Sequence, residues 1–183
     1  MMILTNLIGL LAVLLTMIAY YQTDRIRFLQ VNVLAVSFFG MTLILNQGFT
    51  GGLISFVNVA VYIAAIFTSQ KARQKLSCVM PLVAFSIAFY WYGTESVQRG
   101  DMPALLTANL PFIPAVATFL VTLSALQQSI VINKIILFSG VVLWALYSFL
   151  VGAWYALASD VVGLAVLLWS LHRIAGQRSK LAT

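Results

Sequence analysis

The 183-residue chain is 62% hydrophobic and 8% charged, with a mean hydropathy of +1.03, which is too apolar for a water-soluble domain of this length. Its net charge of +6 does not point to nucleic acid, because the basic residues form short flanks of apolar runs rather than a clustered patch in polar surroundings. Apolar stretches able to cross a bilayer as helices recur about seven times, and the alternation of a transmembrane barrel is missing. The expected fold is therefore an all-α membrane protein, with the lipid bilayer as its first partner.

In chain order, the first span covers about Leu4 to Tyr21. It has no basic n-region and no small-residue cleavage site, so it is expected to remain as a span rather than be removed as a signal peptide. The polar interval Gln22 to Arg27 closes it. Asp24 and Arg25 are gate candidates there; together with Arg27 they also read as orientation charge with a local ion pair, which contributes little when exposed. The second span runs about Leu29 to Asn46 and the third about Leu53 to Ser69. The basic interval Gln70 to Lys75 precedes a fourth span, Leu76 to Tyr92, which contains Pro81 and ends in Tyr90, Trp91 and Tyr92. A polar loop, Gly93 to Pro103, leads to the fifth span, Leu105 to Leu126. Pro111 and Pro114 in that span are hinge candidates, since each lacks a backbone donor and tends to kink a helix. The last two spans form a hairpin, and His172, Arg173, Arg178 and Lys180 belong to a polar tail. Cys78 is the single cysteine, which rules out an internal disulfide. His172 lacks partners for metal or nucleophilic chemistry, and no catalytic motif appears. Neither an enzyme nor a cofactor is expected.

Seven alternating spans put Arg25, Arg27, Lys71, Arg73, Lys75, Lys134, Arg173, Arg178 and Lys180 on one side and Arg99 alone on the other. The positive-inside rule then predicts an external N-terminus and a cytoplasmic C-terminus. Trp91, Trp154 and Tyr155 are expected at the outer interface, and Tyr20, Tyr21 and Trp169 at the inner one, as aromatic belts.

Two hairpins carry the polar residues of most interest. Ser139 to Phe149 and Trp154 to Leu171 flank Leu150 to Ala153, which predicts a turn at about Gly152, with Trp144 and Asp160 each eight positions away. Equal distance from the turn means equal depth, roughly 9 Å in at 1.5 Å per residue. A carboxyl at that depth costs on the order of 3 kcal/mol in hydrocarbon, so it should face protein or water. Earlier, Ser37 to Gln47 and Leu53 to Thr68 flank Gly48 to Gly52, and eight positions from Thr50 lie Thr42 and Asn58. By that count Asn58 matches Asp160, while Trp144 falls opposite Thr42, or opposite Ile44 if Gly40 is matched with Gly140. Asp160 reads as a cavity acid or as a protonated carboxyl bonded to a neighbouring helix. Asn58 reads as a ligand group or as interhelical glue. Trp144 is a ligand-stacking or core aromatic, and Thr42, Ser55 and Tyr147 are wall residues or packing hydroxyls.

The paired hairpins predict two parallel three-helix bundles joined by a linker helix (3+1+3), with Met1 to Thr68 superposing on Leu105 to Leu171. The expected segments are 1–69 and 104–172 for the two bundles, 70–103 for the linker helix and its loops, and 173–183 for a cytoplasmic tail. Parallel repeats commonly hold a substrate at their interface.

Gly140, Leu143, Trp144 and Tyr147, followed by Asp160, resemble the G-x-x-L-W-x-x-Y pattern and third-helix polar residue of the SWEET and SemiSWEET transporters and the wider PQ-loop group. The Pro-Gln pair of that group is replaced by Tyr21-Gln22 and Gln127-Gln128, and an Asp stands where its second unit has Asn. Over nearly the whole chain, the length, the segment Gln22 to Arg27, Asn58 in the third span and the acid in the last resemble the YgjV family of bacterial inner-membrane proteins. These resemblances imply a SWEET-like fold in a bacterial inner membrane, with Trp144, Asp160 and Asn58 at positions that line the SWEET sugar pocket. They also imply alternating-access movement of a small polar solute, sugar or similar, with or without coupled protons. The alternative is a receptor or accessory subunit that transports nothing. Homo-oligomerisation is compatible with either.

Overall fold

The computed structural model describes residues 2–46, 48–91 and 109–181. Among them are seven helices and no strand: α1 (Met2–Tyr21), α2 (Arg25–Leu45), α3 (Phe49–Phe67), α4 (Gln70–Tyr90), α5 (Phe112–Leu126), α6 (Ile130–Leu150) and α7 (Trp154–Leu181). Tyr92, the polar loop expected over Gly93 to Pro103 with its Arg99, and residues 104–108 lie outside the described residues, as do the side chains of Arg73, Arg178 and Lys180.

The distribution of polarity is the reverse of a water-soluble domain's. Leu7, Leu10, Leu14 and Ile18 face outward along α1, at the three- and four-residue spacing of one helical face, while Asn32, Ser55, Asn58, Asn133, Lys134, Ser159 and Asp160 are buried. Such a surface needs hydrocarbon around it. Four helices, α2, α3, α6 and Trp154–Ile174 of α7, are long and apolar enough to cross a membrane; the apolar parts of the others, Thr5–Tyr21, Cys78–Tyr90 and Phe112–Leu126, are shorter.

Several boundaries differ from the sequence-based expectation, each for a local reason. The basic interval Gln70 to Lys75 is the first part of α4 rather than a loop, because Gln, Lys, Ala and Arg are good helix formers and nothing there breaks the helix. Likewise α7 continues through Arg173 to Leu181 instead of ending in a separate tail. Pro111 caps α5 and Pro114 lies in its first turn, where a missing N–H forfeits no helical hydrogen bond. These prolines begin the helix rather than bend it, and Pro81 is the proline inside a helix.

The second hairpin turns where expected, with Gly152 at φ 73, a left-handed conformation that suits glycine. The first turns earlier than Thr50, since Phe49 to Gly52 are already helical. That shift brings the helix ends into one register. Tyr21 and Leu126, Arg25 and Ile130, Leu45 and Leu150, and Phe49 and Trp154 are each 105 residues apart. At that spacing Asp160 falls opposite Ser55 and Trp144 opposite Phe39, whereas counting from the turns set Asp160 opposite Asn58 and Trp144 opposite Thr42 or Ile44.

Packing follows a closed circuit, with α1 on α2, α2 on α3, α3 on α5, α5 on α6, α6 on α7, and α7 back on α1; α4 packs against α3 and α5. The chain's first and last helices thus close the ring.

Candidate functional site

At the centre of the circuit is a cavity to which α1, α2, α3, α5, α6 and α7 all contribute. Ten of its lining side chains fall into five pairs 105 residues apart: Thr16 and Val121, Asn32 and Leu137, Val36 and Val141, Phe39 and Trp144, Ser55 and Asp160. The remaining four are Tyr20, Asn58, Tyr62 and Ser159. Its two walls are unlike. Three of the pairs set a polar group against an apolar one, or a hydroxyl against an acid, so the α1–α3 side is rich in amides and hydroxyls and the α5–α6 side in hydrocarbon and indole. The space is small, with a cavity volume of about 30 Å³.

Asp160 is 6% exposed, and its Oδ2 accepts a hydrogen bond from Ser148 Oγ at 3.1 Å, from α7 to α6. Trp144 is held edge-on between Phe39, at 5.4 Å between ring centroids, and Tyr147, at 6.1 Å. Asn58 is 2% exposed, and its Oδ1 meets no hydrogen-bond partner; Asn32 donates through Nδ2 to Phe28 O at 3.1 Å but leaves its own Oδ1 unpartnered. Unpaired buried carbonyl oxygens are costly, typically about 1–3 kcal/mol each. Ser55 donates to Gly51 O at 2.8 Å, and the hydroxyls of Thr16 and Ser159 bond to each other at 2.8 Å, joining α1 to α7.

Of the residues singled out from sequence, Asp160, Asn58, Trp144 and Ser55 come together around this cavity. Thr42 does not; it is buried in α2 and donates to Phe38 O at 2.9 Å. Tyr147 stands behind Trp144, with its hydroxyl accepting the Gly51 N–H at 3.1 Å. Adding even a Cβ at Gly51 would bring it to 2.2 Å from the Tyr147 ring, so this close approach depends on glycine.

Asn32, Tyr62, Thr16 and Ser159 also line the cavity without having been singled out from sequence, as does Tyr20. Tyr20 was expected in the inner aromatic belt, but one residue's rotation on a helix separates it from Tyr21: Tyr21 stacks on Trp169 at the surface at 5.2 Å, while Tyr20 is buried against the cavity. Gly163 makes the room, since a Cβ there would lie 2.7 Å from the Tyr20 ring. The available signal was Asn32, a polar residue in an apolar span.

One end of the ring is tied by basic residues. Arg25, at the start of α2, donates through Nε to Gln127 O at 3.0 Å and through Nη2 to Ala125 O at 2.9 Å, at the C-terminal end of α5. Lys134, near the start of α6, donates to Tyr20 O at 2.8 Å, at the C-terminal end of α1, and to Ser170 Oγ on α7. Cations suit helix C-termini, where carbonyls are unpaired and the dipole is negative. Asp24 has a local task, capping α2 by accepting the Arg27 N–H at 2.8 Å. At the same end, Arg173 donates to the Tyr21 hydroxyl at 2.8 Å.

Against known proteins, a family model described as a bacterial inner membrane protein, Imp-YgjV, matches residues 3–178. No curated protein and no solved structure matches the chain.

Proposed function

From the premise that the chain belongs to the bacterial inner membrane protein family Imp-YgjV, we propose that it is a carrier moving a small polar solute across that membrane by alternating access, and not an enzyme. The observation that carries this reading is the set of five lining pairs at one spacing of 105 residues. It supports two three-helix units, α1–α3 and α5–α7, related by an axis through the cavity, with α4 as linker. A site on the axis between parallel repeats is touched by both units, so rocking one against the other exposes it to one side and then the other. The Arg25 and Lys134 ties join the start of the second helix of each unit to the end of the first helix of the other. By the excess of basic residues at this end, it faces the cytoplasm, with the N-terminus outside, and the ties form the cytoplasmic gate. Asp160, Asn58 and Trp144 hold the solute.

The test is uptake by proteoliposomes holding the purified protein, across labelled amines, polyols, amino acids and sugars. Accumulation of at least one solute above that of empty liposomes is expected. Equal uptake throughout would overturn the carrier reading in favour of a receptor or accessory subunit.

A further inference from the structure

The cavity has a charge and a pattern of unused groups that select among polar solutes. Asp160 is the one acidic side chain in its lining, and among the described residues Ser148 donates a hydrogen bond to it. Arg25 and Lys134 are bonded to backbone carbonyls at one end of the ring. The carbonyl oxygens of Asn32 and Asn58 are also left without donors. The Asp160 carboxyl and the Asn32 and Asn58 side chains thus border a space whose opposite wall is hydrocarbon and indole. Aromatic rings from Phe39, Trp144, Tyr20 and Tyr62 complete the lining. Ring faces attract cations, most strongly when both are withdrawn from water.

Resting on the carrier reading for its route but not for its chemistry, we propose that the cavity binds a small organic cation, an ammonium or guanidinium group on a short apolar body. The charged nitrogen donates to Asp160 beside the Asn58 and Asn32 side chains, and the apolar body lies against Trp144 and Val141. An anion would meet Asp160 with like charge and no basic residue to offset it. A neutral sugar would satisfy the amides but leave the carboxylate without a counter-charge.

The experiment measures thermal stabilisation of the detergent-purified full chain by methylammonium, guanidinium and choline, with glucose and acetate as neutral and anionic probes at matched ionic strength. A ligand that binds the folded state raises stability by mass action. At least one cation is expected to raise Tm in a saturable way, with glucose and acetate inactive. D160N is expected to weaken that cation about tenfold or more, and N58L by a smaller factor, since hydrogen bonds to charged groups are the stronger ones. A ligand-free Tm for D160N close to the parent's shows that the loss is in binding and not in folding; if D160N does not fold, N58L and N32L carry the test. Glucose or acetate binding in place of the cations would overturn the proposal while leaving a solute site intact. No response to any probe, or cation binding unchanged in D160N and N58L, would also overturn it. Cation binding without proteoliposome uptake would instead sink the carrier reading and leave the cation site standing.

Discussion

Tyr147 completes the hydrogen bonding of a helix to which it does not belong. The first N–H groups of a helix have no partner within it, and Gly51, in the first turn of α3, gives its N–H to the Tyr147 hydroxyl from α6. Tyr147→Phe should therefore cost about 1–3 kcal/mol by orphaning a buried donor. The measurement is chemical denaturation of the purified variant, and an unchanged midpoint would show that the tie contributes nothing. Gly163 makes a second test at this scale. Gly163→Val would push into the Tyr20 ring, and overpacking of this kind typically costs about 1–3 kcal/mol. Loss of ligand-induced stabilisation is expected as Tyr20 is driven further into the cavity. Asp160 stood out in sequence because an acid in an apolar run is costly enough to demand a reason. Tyr20 and Tyr62 did not, because an aromatic in a membrane span serves as well in a belt as in a core, and only rotation about the helix axis decides between them.

Among the helices, the ties made by Arg25 and Lys134 cross from one proposed unit to the other through backbone carbonyls at helix ends. Each is a cation held by helix carbonyls, and a hydrogen bond to a charged group contributes about 1.5–3 kcal/mol. If they form the gate, Arg25→Ala or Lys134→Met should shift the ring toward opening at this end by about tenfold or more. Cysteine labelling reads this directly. In a Cys78→Ser background, Asn32→Cys should react faster with a membrane-impermeant maleimide from the basic side once either tie is removed. Equal rates with and without the ties would show that they do not gate. The helix start at Trp154 matches the sequence reading because a glycine turn marks it, whereas α2 begins at Arg25 rather than about Leu29, and α6 begins at Ile130, well before the apolar run expected from Ser139. The early start of α3 was not legible either, since Gly51 and Gly52 look like turn residues and are helical here for the close approach of α6 and α2. That difference displaced the expected match of Asn58 with Asp160.

For the molecule as a whole, the count and order of helices were legible from apolar runs and basic flanks. The circuit was not, because hydropathy along a chain carries no record of which helices are neighbours. An experimental structure should superpose α1–α3 on α5–α7 at a spacing of 105 residues, and an inverted relation would refute the axis proposed. Reporter fusions after Thr183 should report cytoplasm; a periplasmic signal would reverse the gate's assignment. The contact of α1 with α7 also has a consequence in time. Thr16 meets Ser159 across 143 residues of sequence, and at about 5–20 residues synthesised per second the earlier residue precedes the later by roughly 7–30 s. Through that interval Ala12, Thr16 and Ala19, buried in the finished protein, have α2 beside them but not the last helix. This earlier-made face is thus enclosed late, and slower elongation lengthens the period in which it can meet a wrong partner.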